Sequence, residues 1–147
     1  MDIEHFYIEK GRGFPLILLH GNGEDCDYFR GQIDEFSKQY HVYAIDTRGH
    51  GRTPRGDMPF TIRQFAGDLL EFMDEHQIEK AHLLGFSDGG NIAMVFALQN
   101  PGRIDRLILD GANLNADGVK QTTQLPIEIG YKLAKRFSEK SDSAKRN

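Results

Sequence analysis

The chain has 147 residues, 39% of them hydrophobic, which fits one domain with a hydrophobic core of its own. Its formal net charge of −4 gives no reason to expect a nucleic acid or an anionic membrane as partner. A single cysteine, Cys26, excludes an internal disulfide and fits a reducing, cytoplasmic location. No secretory signal and no membrane-spanning apolar run is predicted.

The first part of the chain predicts three strands. A short strand over residues 3–9 ends in a glycine turn, and the continuous apolar run 15–19 is typical of a strand buried on both faces of a parallel sheet. Asp25 or Asp27 is predicted to cap the helix that follows. The third strand covers residues 41–45 and leads into a glycine-rich loop.

The next part predicts helices alternating with strands. Thr61 and Gln64 are predicted to form a capping box at the start of an amphipathic helix. A strand over residues 81–86 is followed at once by a helical pattern, and a further strand covers 104–109. This alternation predicts an α/β fold, with a mostly parallel sheet and helices on both of its faces.

The remaining residues predict a smaller second region. We expect the core to occupy residues 1–120, and residues 121–147 to hold one more helix and a polar tail. Pro126 lies near the start of this helix, where proline is well tolerated. The tail from Ser138 is expected to fray because it is polar throughout.

One stretch carries the main chemical signal. The strand at 81–86 runs into Gly-Phe-Ser-Asp-Gly at residues 85–89, and the helical pattern begins directly after it. A strand–turn–helix with this pattern lifts the serine hydroxyl clear of the sheet and directs it toward the positive end of a helix. The flanking glycines leave room for the sharp turn. Ser87 is therefore predicted to be a nucleophile.

Two other loops are predicted to lie beside Ser87. His-Gly-Asn-Gly at residues 20–23 follows the second strand, and Asp-Thr-Arg-Gly-His-Gly at 46–51 follows the third. Since ligands of parallel sheets gather at the carboxyl ends of the strands, the three loops should converge on one rim. In this order and spacing, the three motifs resemble those in the first part of the α/β-hydrolase fold family.

The resemblance implies acyl transfer without a metal or an organic cofactor. Ser87 would attack the ester-like carbonyl of a small-molecule substrate, a carboxylic ester or a related acyl compound, and form an acyl-enzyme. The backbone N–H groups of Asn22 and Asp88 would bind the oxyanion. The loop at 46–51 would be structural. The family branches that open epoxides or remove halide use aspartate in place of this serine. Esterase, thioesterase, lactonase, amidase and carbon–carbon bond hydrolase remain open.

The resemblance also implies parts that these 147 residues lack. The family orders its triad as serine, acid, histidine, yet all six histidines precede Ser87. The family's sheet has eight strands, of which we expect about the first six, followed by the start of the lid. A chain cut there would leave the sixth strand, 104–109, open to self-association and would be weakly active or inactive. The alternative is a non-catalytic binding or assembly module.

Structural roles compete with chemical ones at several positions. Ser87 could be only a helix N-cap. His20 could be a base but resembles the family's structural histidine, and His50 could approach a substrate, although a structural hydrogen bond is favoured. His82 is expected to be a hydrogen-bonded core residue. Asp110 could be the triad acid, since some hydrolases of this fold keep it there. Phosphate- and dinucleotide-binding patterns are absent.

Overall fold

The structure, a computed structural model, describes residues 2–110 of the chain. These residues form a five-stranded sheet and three α-helices. The strands are β1 (Tyr7–Lys10), β2 (Pro15–Leu19), β3 (His41–Ile45), β4 (Ala81–Phe86) and β5 (Ile104–Asp110). The helices are α1 (Arg30–Phe36), α2 (Ile62–Glu75) and α3 (Asp88–Gln99), with short 3₁₀ turns at Cys26–Phe29 and Pro101–Arg103.

The sheet has the strand order β1-β3-β2-β4-β5, with β1 antiparallel to β3 and the other pairings parallel. The connection from β2 to β3 crosses the sheet in the opposite direction from the two later connections. Right-handed crossovers therefore put α1 on one face and α2 and α3 on the other, where α2 packs against α3. The predicted mostly parallel α/β sheet is confirmed.

The central strands form the core because apolar side chains occupy both of their faces. All residues of β2 after Pro15, all of β3 after His41, and Ala81–Gly85 in β4 are buried. A strand without a polar face can be stable only between two layers of other structure, which here are the helices. This requirement places β2, β3 and β4 in the middle of the sheet, and the carboxyl ends of these strands then form the rim.

Two helix starts can be compared with the prediction. Asp25 Oδ1 accepts the Asp27 N–H at 2.9 Å and caps the 3₁₀ turn that leads into α1. Thr61 Oγ1 accepts the Gln64 N–H at 3.1 Å, as predicted. A capping box also needs the Gln64 side chain to bond back to the Thr61 N–H, and this part of the prediction is wrong. The Gln64 side-chain amide donates to Asp68 Oδ1 at 2.9 Å instead.

The first strand is shorter than predicted. It begins at Tyr7, not at residue 3, because the residue before it bonds to a loop: the Phe6 N–H donates to Thr53 Oγ1 at 2.9 Å. The expected count of about six strands is also wrong for residues 2–110, which hold five. Within this range β5 pairs only with β4 and so lies at one edge of the sheet.

Several predictions fall outside the described residues: the division at residue 120, the helix near Pro126 and the polar tail from Ser138. Among residues 2–110, no helix combines the length and the apolar character needed to cross a bilayer. The site described below lies entirely within this range.

Candidate active site

Ser87 occupies a sharp turn between β4 and α3. Its backbone has φ 55° and ψ −117°, a left-handed conformation that side-chain-bearing residues rarely adopt. Its carbonyl accepts the Gly90 N–H at 2.9 Å, but its side chain makes no capping hydrogen bond to α3. A residue that served only as an N-cap would use its hydroxyl for that bond. The geometry therefore matches the predicted nucleophile turn and disfavours the N-cap alternative.

The glycines on either side of Ser87 allow backbones to approach closely. A Cβ on Gly85 would lie 2.5 Å from the N atom of Gly90, inside the first turn of α3. A Cβ on Gly89 would lie 2.6 Å from the carbonyl carbon of Leu19 and 2.7 Å from the His20 oxygen. The start of α3 is thus seated directly on the end of β2, which brings the loop after β2 next to Ser87.

The loop after β2 does contact the turn. A Cβ on Gly21 would lie 3.2 Å from the Cβ of Ser87. The Gly21 carbonyl accepts the Glu24 N–H at 3.2 Å. This carbonyl and the Asn22 N–H belong to one planar peptide unit, so the bond also constrains the direction of that N–H. Among residues 2–110, neither the Asn22 N–H nor the Asp88 N–H donates a hydrogen bond.

Both ring nitrogens of His20 form hydrogen bonds to the backbone. Its Nε2 accepts the Thr47 N–H at 3.1 Å, so the proton is on Nδ1, which donates to the Gly21 carbonyl at 2.7 Å. The side chain is 1% exposed, and burial lowers the pKa of His20. A neutral ring with both nitrogens bonded favours the structural role over that of a catalytic base.

His50 lies at the rim above His20. Its Nδ1 is 3.1 Å from both Thr47 Oγ1 and the Arg48 carbonyl, and its Nε2 is 3.4 Å from Asn22 Oδ1. The ring stacks on Phe60, with 5.7 Å between centroids and 19° between planes. His50 therefore contacts the expected oxyanion loop through a side chain.

Asp88 and Asp110 flank the turn. The Asp88 carboxylate accepts a hydrogen bond from the Asn91 side-chain amide at 3.3 Å, so it is bonded within the first turn of α3. Asp110, the last residue of β5, accepts the Ser87 N–H through its carbonyl at 3.2 Å, and its side chain is exposed. Within the described range no histidine bonds to the Asp110 carboxylate, so its role as triad acid stays a prediction.

Comparison with known proteins decides the family. The sequence profile of the alpha/beta hydrolase fold matches residues 15–139, which is most of the chain. The chain belongs to the α/β-hydrolase fold family. The resemblance drawn from the three loop motifs is confirmed, and solved structures of hydrolases share the fold.

Three proteins illustrate the similarity. The dihydrolipoyllysine-residue acetyltransferase component of the acetoin cleaving system of Cupriavidus necator is 38% identical over 99 residues, covering 67% of this chain and 26% of that protein. The meta-cleavage product hydrolase of Pseudomonas fluorescens IP01 superposes with a TM-score of 0.72 at 35% identity, over 75% of this chain and 42% of its own. The enol-lactonase of Burkholderia xenovorans LB400 superposes with a TM-score of 0.68 at 32% identity, over 71% of this chain and 42% of its own. The chain thus spans less than half the length of these relatives.

A buried ion network supports this α/β-hydrolase rim, and the sequence analysis missed it. The Arg48 side chain is fully buried; Nε and Nη2 donate to Asp68 at 2.8 and 2.9 Å, while Nη1 and Nη2 donate to Asp2 at 2.8 and 2.7 Å. Nη1 also donates to the Arg55 carbonyl at 3.1 Å, so all five guanidinium donors are used. These bonds raise the pKa of Arg48, and the bond from Arg48 lowers the pKa of Asp2.

A second polar clamp joins the family's glycine-rich loop to the 3₁₀ turn. Asp46 Oδ1 accepts the Cys26 N–H at 2.7 Å, and Oδ2 accepts the Arg52 N–H at 2.9 Å. Thr53 Oγ1 donates to the Asp46 carbonyl at 2.7 Å. Asp46 is 1% exposed, so its carboxylate serves the loop and not a substrate. The structural role implied for this loop agrees with these bonds.

We expect the thiol of Cys26 to be unreactive in the folded chain. Its side chain is buried, and burial together with the nearby Asp46 carboxylate raises its pKa to about 12. Because the thiolate is the reactive form, labelling by iodoacetamide at pH 8 should be at least about 100-fold slower than for a free cysteine. Mass spectrometry measures the labelled fraction. The same reaction in guanidinium chloride is the control, and fast labelling without denaturant would contradict the prediction.

His82 departs from its prediction in one respect. It is buried as expected, 8% exposed, among the rings of Phe14 and Tyr40. Its Nδ1 lies 3.3 Å from Asp105 Oδ2 but has no hydrogen-bond partner within the described residues, so the expectation of a hydrogen-bonded core histidine is wrong. Burial lowers the pKa of His82, and the Asp105 charge opposes that shift. This pair lies at the amino ends of the strands, away from Ser87.

Proposed function

We propose that this chain carries the nucleophile and the oxyanion site of a serine hydrolase that acts on carboxylic esters or related acyl compounds. One observation carries the proposal: Ser87 has a strained backbone and a hydroxyl free of capping, and the Gly21–Asn22 peptide lies directly beside it. Strain of this kind persists at functional sites because it presents a reactive group in a fixed direction.

The proposed reaction is acyl transfer. The Ser87 oxygen attacks the substrate carbonyl, its proton passes to a base, and the negative oxygen that forms accepts hydrogen bonds from the Asn22 and Asp88 N–H groups. The carbonyl then re-forms as the alcohol leaves, protonated by the same base, and water releases the acid from the acyl-enzyme. Each oxyanion donor would lower the barrier by about 3–4 kcal/mol.

The rate of ester hydrolysis by these 147 residues depends on which group takes the Ser87 proton. The family order places the triad histidine after the serine and the acid, whereas all six histidines here precede Ser87. His20 is neutral, with both nitrogens bonded. We therefore propose that these residues alone hydrolyse esters weakly or not at all, and that the full activity needs a histidine and an acid outside them, or Asp110 as the acid.

Aromatic side chains lie near both loops of the proposed site. Tyr28 stacks on Phe86, which precedes Ser87, with 4.5 Å between ring centroids and 23° between planes. Phe60, 45% exposed, stacks on His50, whose ring nitrogen Nε2 contacts Asn22. Apolar walls beside a few directed polar groups are typical of small-molecule sites. They support a substrate with an apolar group beside the reacting carbonyl, and one relative is named an enol-lactonase.

The partner and location expectations also stay proposals. We propose a reducing, cytoplasmic setting, which the single buried cysteine supports. Self-association through the edge of β5 is proposed for a chain in which no further strand covers that edge, since an open apolar edge favours pairing.

The proposal is tested by trapping the acyl-enzyme. The chain is incubated with p-nitrophenyl acetate at pH 9, where hydroxide can take the serine proton in place of the missing histidine. The reaction is quenched in acid, the protein is digested, and the acetylated residue is located by mass spectrometry. We expect acetylation at Ser87, none at that position in Ser87→Ala, and unchanged labelling of Ser87 in the control Ser37→Ala. The Ser37 hydroxyl donates to the Asp34 carbonyl on the surface.

Two outcomes would change the proposal. Equal acetylation of other side chains in Ser87→Ala and in the wild type, with none at Ser87, would refute it and favour a non-catalytic module. Rapid turnover by the 147 residues that is lost in Ser87→Ala would keep the nucleophile, and would show that a base lies within the chain.

A further inference from the structure

The strongest unexplained feature of the rim is a contact between two loops distant in sequence. His50, in the loop after β3, places Nε2 3.4 Å from Oδ1 of Asn22, in the loop after β2. The oxyanion role proposed above uses only the backbone N–H of Asn22. A separate function is therefore open for the Asn22 side chain, and His50 is its partner.

The His50 ring is held in place by contacts other than Asn22. Its Nδ1 lies 3.1 Å from the Arg48 carbonyl and from Thr47 Oγ1. One face of the ring stacks on Phe60, and the ring meets Phe65 at 77° with 6.3 Å between centroids. With the ring plane and one nitrogen fixed, the direction of Nε2 is fixed as well. His50 is therefore a rigid attachment point for a flexible neighbour.

Asn22 needs such an attachment because its backbone is flanked by glycines. Gly21 and Gly23 have no side chains to restrict their rotation, and Gly23 adopts φ 78°. Glycines give a peptide plane the greatest freedom to rotate. His20 Nδ1 and the Glu24 N–H both bond to the Gly21 carbonyl that precedes Asn22, and among residues 2–110 the Asn22 side chain makes its hydrogen bond to His50. Loss of that contact would leave the Gly21–Asn22 peptide, which carries the N–H, held only through its carbonyl.

The contact does not depend on one protonation form of His50. The Asn22 amide has both a donor and an acceptor, and can rotate to present either one. When Nδ1–H donates to the Arg48 carbonyl, Nε2 accepts from the amide NH₂; when Nε2 carries a proton, it donates to Oδ1. When Nδ1 carries no proton, it accepts from the Thr47 hydroxyl instead of donating to the Arg48 carbonyl. Both nitrogens are thus bonded in either tautomer, which suits His50 to positioning.

We propose that His50 is a positioning residue for the oxyanion site: by binding the Asn22 side chain it holds the Asn22 N–H toward the carbonyl attacked by Ser87. The inference rests on the proposed function. It assigns a role to the histidine of the loop after β3, which would otherwise be purely structural. Small displacements of a group that binds the transition state reduce rates by up to about 100-fold.

A double-mutant cycle tests the inference, with the second-order rate of Ser87 acetylation by p-nitrophenyl acetate as readout. His50→Phe keeps a ring to stack on Phe60 but removes both nitrogens, and Asn22→Ala keeps the backbone N–H but removes the side chain. We expect each single variant to be about 10-fold slower and the double variant to be no slower than either, since both remove one contact. His50→Gln, whose amide can still bind Asn22, should recover part of the rate.

The control is His41→Phe. His41 is the first residue of β3, at the end of the sheet opposite to Ser87, and its imidazole bonds to the Glu9 carboxylate at 2.9 Å. It should acetylate at the wild-type rate. Additive effects of His50→Phe and Asn22→Ala, or a wild-type rate in His50→Phe, would overturn the inference. Thermal unfolding of each variant identifies one that is slow only because it fails to fold.

A second readout separates this inference from the proposed function. In ¹H–¹⁵N NMR spectra, His50→Phe should shift the Asn22 backbone and side-chain amide signals, and His41→Phe should not. If Ser87 is never acetylated, the proposed function fails, but shifted Asn22 signals still support the contact. If acetylation is normal and these signals do not move in His50→Phe, the positioning role is refuted while the proposed function stands.

Discussion

Replacing Arg48 with methionine is expected to lower the free energy of unfolding by about 3–5 kcal/mol. The Arg48 side chain is fully buried, and its five donors bind Asp68, Asp2 and the Arg55 carbonyl. Removing the cation leaves the buried Asp68 carboxylate, 3% exposed, without its counter-charge. Breaking a buried ion pair in this way costs more than the pair contributed, because an uncompensated charge is left out of water.

Urea denaturation followed by circular dichroism measures this change. The matched control is Arg30→Met, since Arg30 forms an ion pair with Asp27 at 2.8 Å while both side chains are mostly exposed. That pair should contribute less than about 1 kcal/mol. If Arg48→Met and Arg30→Met lower the unfolding free energy by similar amounts, the Arg48 network does not stabilise the fold in the way its geometry indicates.

Replacing Gly89 with alanine should destabilise the protein by about 3 kcal/mol, at the upper end of the usual cost of overpacking. The added Cβ would lie 2.6 Å from the Leu19 carbonyl carbon and 2.7 Å from the His20 oxygen. Both are backbone atoms at the end of β2, so neither can move aside as a flexible side chain would. We expect α3 to shift away from β2, which would also separate Ser87 from the loop after β2.

The control for this prediction is Gly67→Ala. Gly67 lies inside α2, and among residues 2–110 a Cβ there would meet no atom within 4 Å other than its own neighbours in the helix. Alanine is the better helix former, so this variant should be more stable than the wild type by about 0.5–1 kcal/mol. Chemical denaturation compares the two variants directly. Equal or greater stability of Gly89→Ala would mean that α3 does not pack on β2 as described.

Part of the candidate site could be predicted because its signals are local. Five consecutive residues, 85–89, specify the turn at Ser87. The loop after β2 lies beside this turn because the carboxyl ends of parallel strands meet at one edge of the sheet. Thr61 was correctly placed as an N-cap for the same reason, since its acceptor bonds to an N–H three residues later. Such features need no knowledge of the rest of the chain.

Other features depended on residues that meet only in the folded chain. The side chain of Gln64 could bond back to the helix start or forward to Asp68, and the second partner was favoured because Asp68 is already fixed by Arg48. Asp68 in the apolar stripe of α2 was the one visible sign of a buried ion pair. Its partner is 20 residues away, and the second carboxylate, Asp2, is 46 residues from Arg48.

The sequence by itself determined the order of strands and helices along the chain, the buried central strands and the turn that presents Ser87. Periodicity and glycine placement act over a few residues, so they are readable without coordinates. Only the tertiary structure decided which polar groups are paired: the proton on Nδ1 of His20, the five bonds of Arg48 and the contact from His50 to Asn22. A polar side chain has many candidate partners along a chain, and packing of the core selects among them by distance.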